Sequence, residues 1–167
     1  MTIEIPEHMQ WFVRDRFGMF IHWGIYAVAA RHEWVQSREK RTTEEYGRYI
    51  EYMDADLYDP ASWARKAKQA GMKYAILTAK HHDGFAMWDT ATSDYKITNA
   101  PAARDVLREW ADAFRAEGIK IGYYYSVIDW HHSDYTMDSS HPLRETNWDA
   151  FNEGRDFSLY REYMFTQ

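Results

Sequence analysis

The stretch Tyr74-Ala75-Ile76-Leu77-Thr78-Ala79-Lys80-His81-His82-Asp83-Gly84-Phe85 decides how this chain is read. Its first six residues are largely apolar and free of Gly and Pro, which predicts a short buried strand. Two adjacent imidazoles and a carboxylate follow where that strand would leave the core, and Gly84 lets the backbone turn. Polar, titratable groups at a strand's carboxyl end are what a parallel α/β fold presents in its ligand crevice.

The same pattern recurs on either side. Upstream, residues 17–23 (Phe-Gly-Met-Phe-Ile-His-Trp) read as a strand ending in His22 and Trp23, with Gly24 as its breaker. A long polar passage, residues 25–58, follows as a loop or insertion, and long loops in compact domains usually carry function. Within it, Thr43 to Met53 has a helical pattern opened by Thr42 or Thr43, with glutamates in the first turn. Asp59-Pro60 opens the next helix as cap and first residue, with Trp63, Ala64, Ala67 and Ala70 as its apolar stripe and Gly71 as its stop. Downstream of the histidines, residues 85–102 are an Asp-, Thr- and Ser-rich loop. A helix from about Ala103 to Glu117 carries Val106, Leu107, Trp110 and Phe114 and ends at Gly118. Residues 119–126 form the third strand, running into Asp129-Trp130-His131-His132. The last helical stretch, about Asp156 to Phe165, turns Phe157, Tyr160, Tyr163 and Met164 to its apolar side. Trp63 and Trp110 fit helix stripes and read as core.

Strand–loop–helix units in this order imply parallel pairing and right-handed crossovers. No glycine-rich phosphate loop follows any strand, which disfavours nucleotide binding. The elaborated loops all follow strands, as in a (β/α)8 barrel, but a complete barrel takes roughly 250 residues. The expectation is therefore an α/β fold: a partial (β/α)8 TIM barrel of about three βα units with parallel strands. It treats residues 1–167 as a single truncated fragment of a barrel catalytic domain.

Composition narrows the class further. A net charge of −6 provides no basic stripe for a phosphate backbone, so no nucleic-acid partner is expected. The chain has no cysteine, which excludes disulfide and thiolate chemistry. Met1 to Arg16 has no apolar core of signal length and no segment reaches a membrane span, so the chain reads as soluble and cytoplasmic. Eight Trp and thirteen Tyr fit a large core, and equally a carbohydrate site, where flat rings cover a sugar's apolar face.

Four segments together resemble the N-terminal part of the α-L-fucosidases of glycoside hydrolase family 29. They are Phe17-Gly18-Met19-Phe20-Ile21-His22-Trp23-Gly24, Glu33-Trp34-Val35, Lys73-Tyr74 through Phe85, and Tyr124-Tyr125-Ser126 with Asp129-Trp130. Arg104-Asp105, opening the second clear helix, also fits the family's pattern. The resemblance spans Trp11 to about Trp130. It implies retaining hydrolysis of terminal α-L-fucose without cofactor or metal, with fucose or a fucosylated glycan as ligand. It also implies that His22, Glu33, Trp34, His81, His82 and one tyrosine of the Tyr123–Tyr125 run contact the sugar. Tyr125 is taken as that tyrosine because it is nearest the strand end, with Tyr124 second. Neutral imidazoles and a carboxylate can match a fan of sugar hydroxyls. A retaining glycosidase also needs a nucleophile and an acid/base carboxylate about 5 Å apart. The family's nucleophile follows a fourth strand, so neither catalytic residue nor the arginine beside them has a matching position here.

The remaining polar residues have simpler roles to set against catalysis. Asp83 beside Gly84 reads as a turn cap and Glu33 as a hydroxyl acceptor rather than an acid. Two other function classes stay open. A three-stranded sheet with unpaired edges could bind sugar without catalysis or associate with its own copies, giving a homo-oligomer. A metal-dependent hydrolase could draw on His22, His81, His82, His131 and His132, although neighbouring strand histidines point to opposite faces.

Overall fold

The computed structural model describes residues 4–167. Met1, Thr2 and Ile3, which the leader reading of Met1–Arg16 includes, lie outside them. Three strands, β1 (Gly18–Ile21), β2 (Tyr74–Lys80) and β3 (Lys120–Tyr125), form one sheet in the order β1-β2-β3. Both pairings are parallel, with Gly18 opposite Tyr74 and Tyr74 opposite Lys120. The ladder between β2 and β3 slips by one residue after Thr78, so that Lys80 pairs with Tyr125. Such a bulge bends a strand and re-aims the side chains beyond it.

The helices are α1 (Gln10–Asp15), α2 (Val35–Arg38), α3 (Thr43–Gly47), α4 (Pro60–Gln69), α5 (Val106–Ala116), α6 (Trp148–Asn152) and α7 (Phe157–Thr166). The side chain of Asp59 accepts the Ser62 N–H at the start of α4, and Asp105 accepts the Arg108 N–H at the start of α5. Each satisfies one of the amides a helix start leaves unpaired. The predicted helix from Ala103 begins later, at Val106, because Ala103 sits at φ 46°, outside the helical region. The single helix expected over Thr43–Met53 is divided. Thr42 and Glu45 form a reciprocal capping box for α3, and the chain then tightens into a 3₁₀ turn over Arg48–Tyr52.

α4 and α5 pack on the helix side of the sheet. Trp110 and Phe114 of α5 are fully buried there, each contributing about 1.5–3 kcal/mol by leaving water. Trp63 is only half-buried at the rim of this layer and Ala70 is exposed at the end of α4, so the expected stripe is narrower than its four residues. On α7, Tyr160 is the buried residue, whereas Phe157 is 47% exposed. The 25–58 segment is less polar in effect than in composition. It sends Ile25, Tyr26, Val35, Tyr46, Met53 and Tyr58 into the main core. At the amino ends of the strands, Trp11 and Phe12 of α1 pack against Tyr74.

Candidate functional site

The carboxyl ends of β1 and β2 bring three histidines into a row. The rings of His22 and His81 are 5.0 Å apart and those of His81 and His82 are 4.2 Å apart. Both residues of the pair lie past the end of β2, so strand alternation does not part them. His22 is exposed, whereas His81 and His82 are 3% and 8% exposed. Burial drives the His81 pKa down to about 3, with His82 and His22 adding to the shift, and burial also lowers that of His82. Both are neutral imidazoles near pH 7.

Aromatic rings frame this row. Trp34, half-buried at the start of α2, meets His82 edge-on at 5.0 Å, and Trp130 packs against both. Tyr124 of β3 lies nearly parallel to His81 at 5.7 Å and 6.0 Å from His22. Alternation along β3 turns Tyr125 to the other face of the sheet. Its hydroxyl donates to Gln167 at 2.6 Å, and its ring lies 4.5 Å from the Lys80 ammonium. The structure thus brings His22, His81, His82 and Trp34 together with Tyr124, and sets Tyr125 apart from them. Glu33 shares a hollow with His22, Tyr26 and Arg31, its carboxylate 3.4 Å from His32 Nδ1.

Backbone and side chains of the segment after β3 hold the histidine turn in place. Ser126 N–H donates to the Lys80 carbonyl and Trp130 N–H to the His82 carbonyl, at 2.9 and 2.7 Å. Lys80 makes a 2.7 Å ion pair with Asp129, and both side chains are almost wholly buried. The other oxygen of Asp129 accepts the N–H groups of His131 and His132. Asp83 caps the turn as its position suggests, Oδ1 accepting the Phe85 N–H, while Oδ2 accepts the Tyr46 hydroxyl. Burial raises the Asp83 pKa to about 7.

His131 and His132 belong elsewhere. His131 stacks on Tyr95 at 4.2 Å, and His132 packs against Tyr160 and Tyr163. Among the described residues no group of three or more His, Cys, Asp and Glu is arranged to hold a metal ion, so the five histidines do not converge. A separate outer hollow, bounded by Trp88, Tyr123 and Tyr125, contains none of them.

A model of the family described as alpha-L-fucosidase matches residues 2–167. The chain belongs to the alpha-L-fucosidase family. Tissue alpha-L-fucosidase of Rattus norvegicus is 34% identical over 152 residues, covering 81% of this chain and 33% of that protein. Among solved structures, alpha-L-fucosidase isoenzyme 1 from Paenibacillus thiaminolyticus is 54% identical with a TM-score of 0.91, over 96% of this chain and 38% of that one. Alpha-L-fucosidase AlfC from Lactobacillus casei, in complex with alpha-L-fucose product, is 29% identical with a TM-score of 0.83, over 97% and 57%. This fucosidase-family chain spans about a third of the length of the curated relatives it matches. Its three parallel strands and their helices are a partial (β/α)8 barrel of α/β class.

Three residues of the site were not picked out from sequence. Tyr26 is buried with its ring 5.1 Å from His81 and 5.4 Å from His22; its place two residues past Gly24 was the available signal. Trp130 stood in the Asp129-Trp130 segment of the family resemblance and beside His131-His132, without a role of its own. Ser126 directly follows β3 and meets His82 at 2.6 Å.

Proposed function

We propose that this carboxyl-end cluster is the fucose-recognising part of an α-L-fucosidase site, in a protein that removes terminal α-L-fucose with retention of configuration. The row His22–His81–His82 carries the reading, because burial keeps two of its three rings neutral. A neutral imidazole offers one donor and one acceptor, which suits sugar hydroxyls, while Trp34 and Trp130 supply apolar faces. Tyr124 is the tyrosine assigned to the ligand, and Glu33 accepts a hydroxyl at the rim. The solved relative bound to alpha-L-fucose product supports the choice of ligand.

The two buried carboxylates beside the row, Asp83 and Asp129, are engaged in holding the fold. Asp83 accepts from Phe85 and Tyr46, and Asp129 from Lys80, His131 and His132. Recognition is therefore assigned to these residues, with nucleophilic attack and proton transfer left to carboxylates outside this cluster. Calorimetric titration with L-fucose and incubation with an aryl α-L-fucoside test both halves. Fucose uptake that His81→Ala weakens, without turnover, is the expected result. No uptake by the unaltered chain would sink the recognition reading. Rapid turnover abolished by His81→Ala or His82→Ala would overturn the division of labour.

A second reading is favoured by the sheet itself. Among the described residues β1 and β3 each leave one edge without a strand, and Phe17, Phe20 and Val127 are about half exposed or more. In this reading the chain pairs with a second copy of itself through those edges.

A further inference from the structure

We propose that Ser126 is a positioning residue that fixes His82 as the Nδ1–H tautomer, making its Nε2 a dedicated acceptor for a sugar hydroxyl. The proposal rests on the recognition reading for its ligand but not for its geometry.

The protons can be counted. Ser126 Oγ lies 2.7 Å from the Ile128 carbonyl oxygen, 3.0 Å from the Ile128 amide nitrogen and 2.6 Å from His82 Nδ1. Two oxygens at 2.7 Å need a proton between them, and the carbonyl has none, so the serine hydroxyl donates there. Its two lone pairs then receive the Ile128 N–H and the third partner, His82. Were His82 Nδ1 bare, it would face an oxygen whose only proton is committed elsewhere. The proton between them therefore comes from the imidazole.

His82 is neutral through burial, so a proton on Nδ1 leaves Nε2 with a lone pair. Nε2 makes no hydrogen bond among the described residues and is not one of the fully enclosed unpartnered atoms. The contrast with His81 is direct: its Nδ1 is enclosed with no partner among the described residues, so nothing equivalent there sets its tautomer. A ligand group meeting His82 Nε2 must bring its own proton. A hydroxyl does so, while an ether oxygen or a fluorine in the same place does not. His82 would thus distinguish a free hydroxyl from its alkylated or fluorinated counterpart.

Ring ¹⁵N–¹H correlation spectra of the ¹⁵N-labelled chain test this without ligand, the His82 signals being those lost in His82→Gln. The unaltered chain should show a protonated Nδ1 and a bare Nε2. Ser126→Ala should give a mixture of tautomers, and Ser126→Thr, which keeps the hydroxyl, should restore the single form. Fucose affinity should fall roughly three- to tenfold in Ser126→Ala, the worth of one hydrogen bond, and return in Ser126→Thr. A proton on Nε2 in the unaltered chain overturns the proposal, and that spectrum suffices even if Ser126→Ala does not fold. A wrong tautomer with intact fucose binding sinks the role of Ser126 alone. The expected tautomer with no fucose uptake sinks the sugar half, together with the recognition reading.

Discussion

Gly84 shows how closely the histidine turn is built. Its φ is +80°, and a Cβ placed there would meet Asp129 Oδ1 and lie 2.7 Å from His131 Cβ. Gly71 has a similar φ of +86° but nothing within 4 Å. Gly71→Ala should therefore cost only backbone strain, about 1 kcal/mol, while Gly84→Ala adds overpacking for a total on the order of 2–5 kcal/mol. Equal losses in denaturant melts of the two variants would show that contact at Gly84 is unimportant. Asp83 gives a pH signature. Its folded pKa of about 7 exceeds its ordinary 3.8, so the folded chain holds this proton more tightly than the unfolded one. The stability it contributes is complete below about 3.8 and lost as pH rises through 7. His81 acts in the opposite sense: its folded value of about 3 lies below 6.5, so its contribution is complete above 6.5 and lost as pH falls toward 3. Asp83→Asn removes only the first effect. Stability melts between pH 4 and 7 should show that variant gaining on the unaltered chain as pH rises. A difference that stays constant across that range would refute the assignment.

Between elements, the decisive link is the one from β2 to the residues after β3. The bulge after Thr78 turns Lys80 toward Tyr125, with Tyr160 and Tyr163 of α7 also around its ammonium, and its charge meets Asp129. Neither charge touches water, so removing one strands the other. Lys80→Met should lower stability by about 3–5 kcal/mol, measured by urea titration. Lys80→Met combined with Asp129→Asn should recover much of that loss, because the amide oxygen still accepts the His131 and His132 N–H groups. A double variant as unstable as the single one would mean that the lysine acts through packing rather than charge. The Tyr46 hydroxyl makes a second link, tying α3 to Asp83 and so docking the 25–58 segment on the histidine turn.

For the molecule as a whole, the unpaired edges of β1 and β3 predict association. Light scattering at micromolar concentration should give a mass above the 20.0 kDa of one chain, and a monodisperse monomer would overturn the self-pairing reading. No helix among the described residues is long and apolar enough to cross a membrane. Much of the fold was legible in the sequence because its signals are local. Apolar runs, the Asp59 cap and the glycines at 71 and 118 act within a few residues of themselves, and the corresponding elements formed there, whereas the caps at Asp105 and Asp156 emerged only from the structure. The grouping of His22 with His81 and His82 was also readable, since parallel strands bring their carboxyl ends to one edge. What only the tertiary structure decided is which neighbour each strand-end residue faces. Alternation says that Tyr124 and Tyr125 part, but not which of them joins the histidines. That phase is set by which face of β3 packs against α5, and by the slip in the β2–β3 ladder. The Ser126–His82 contact and the buried Lys80–Asp129 pair span 44 and 49 residues, so no local pattern announces them.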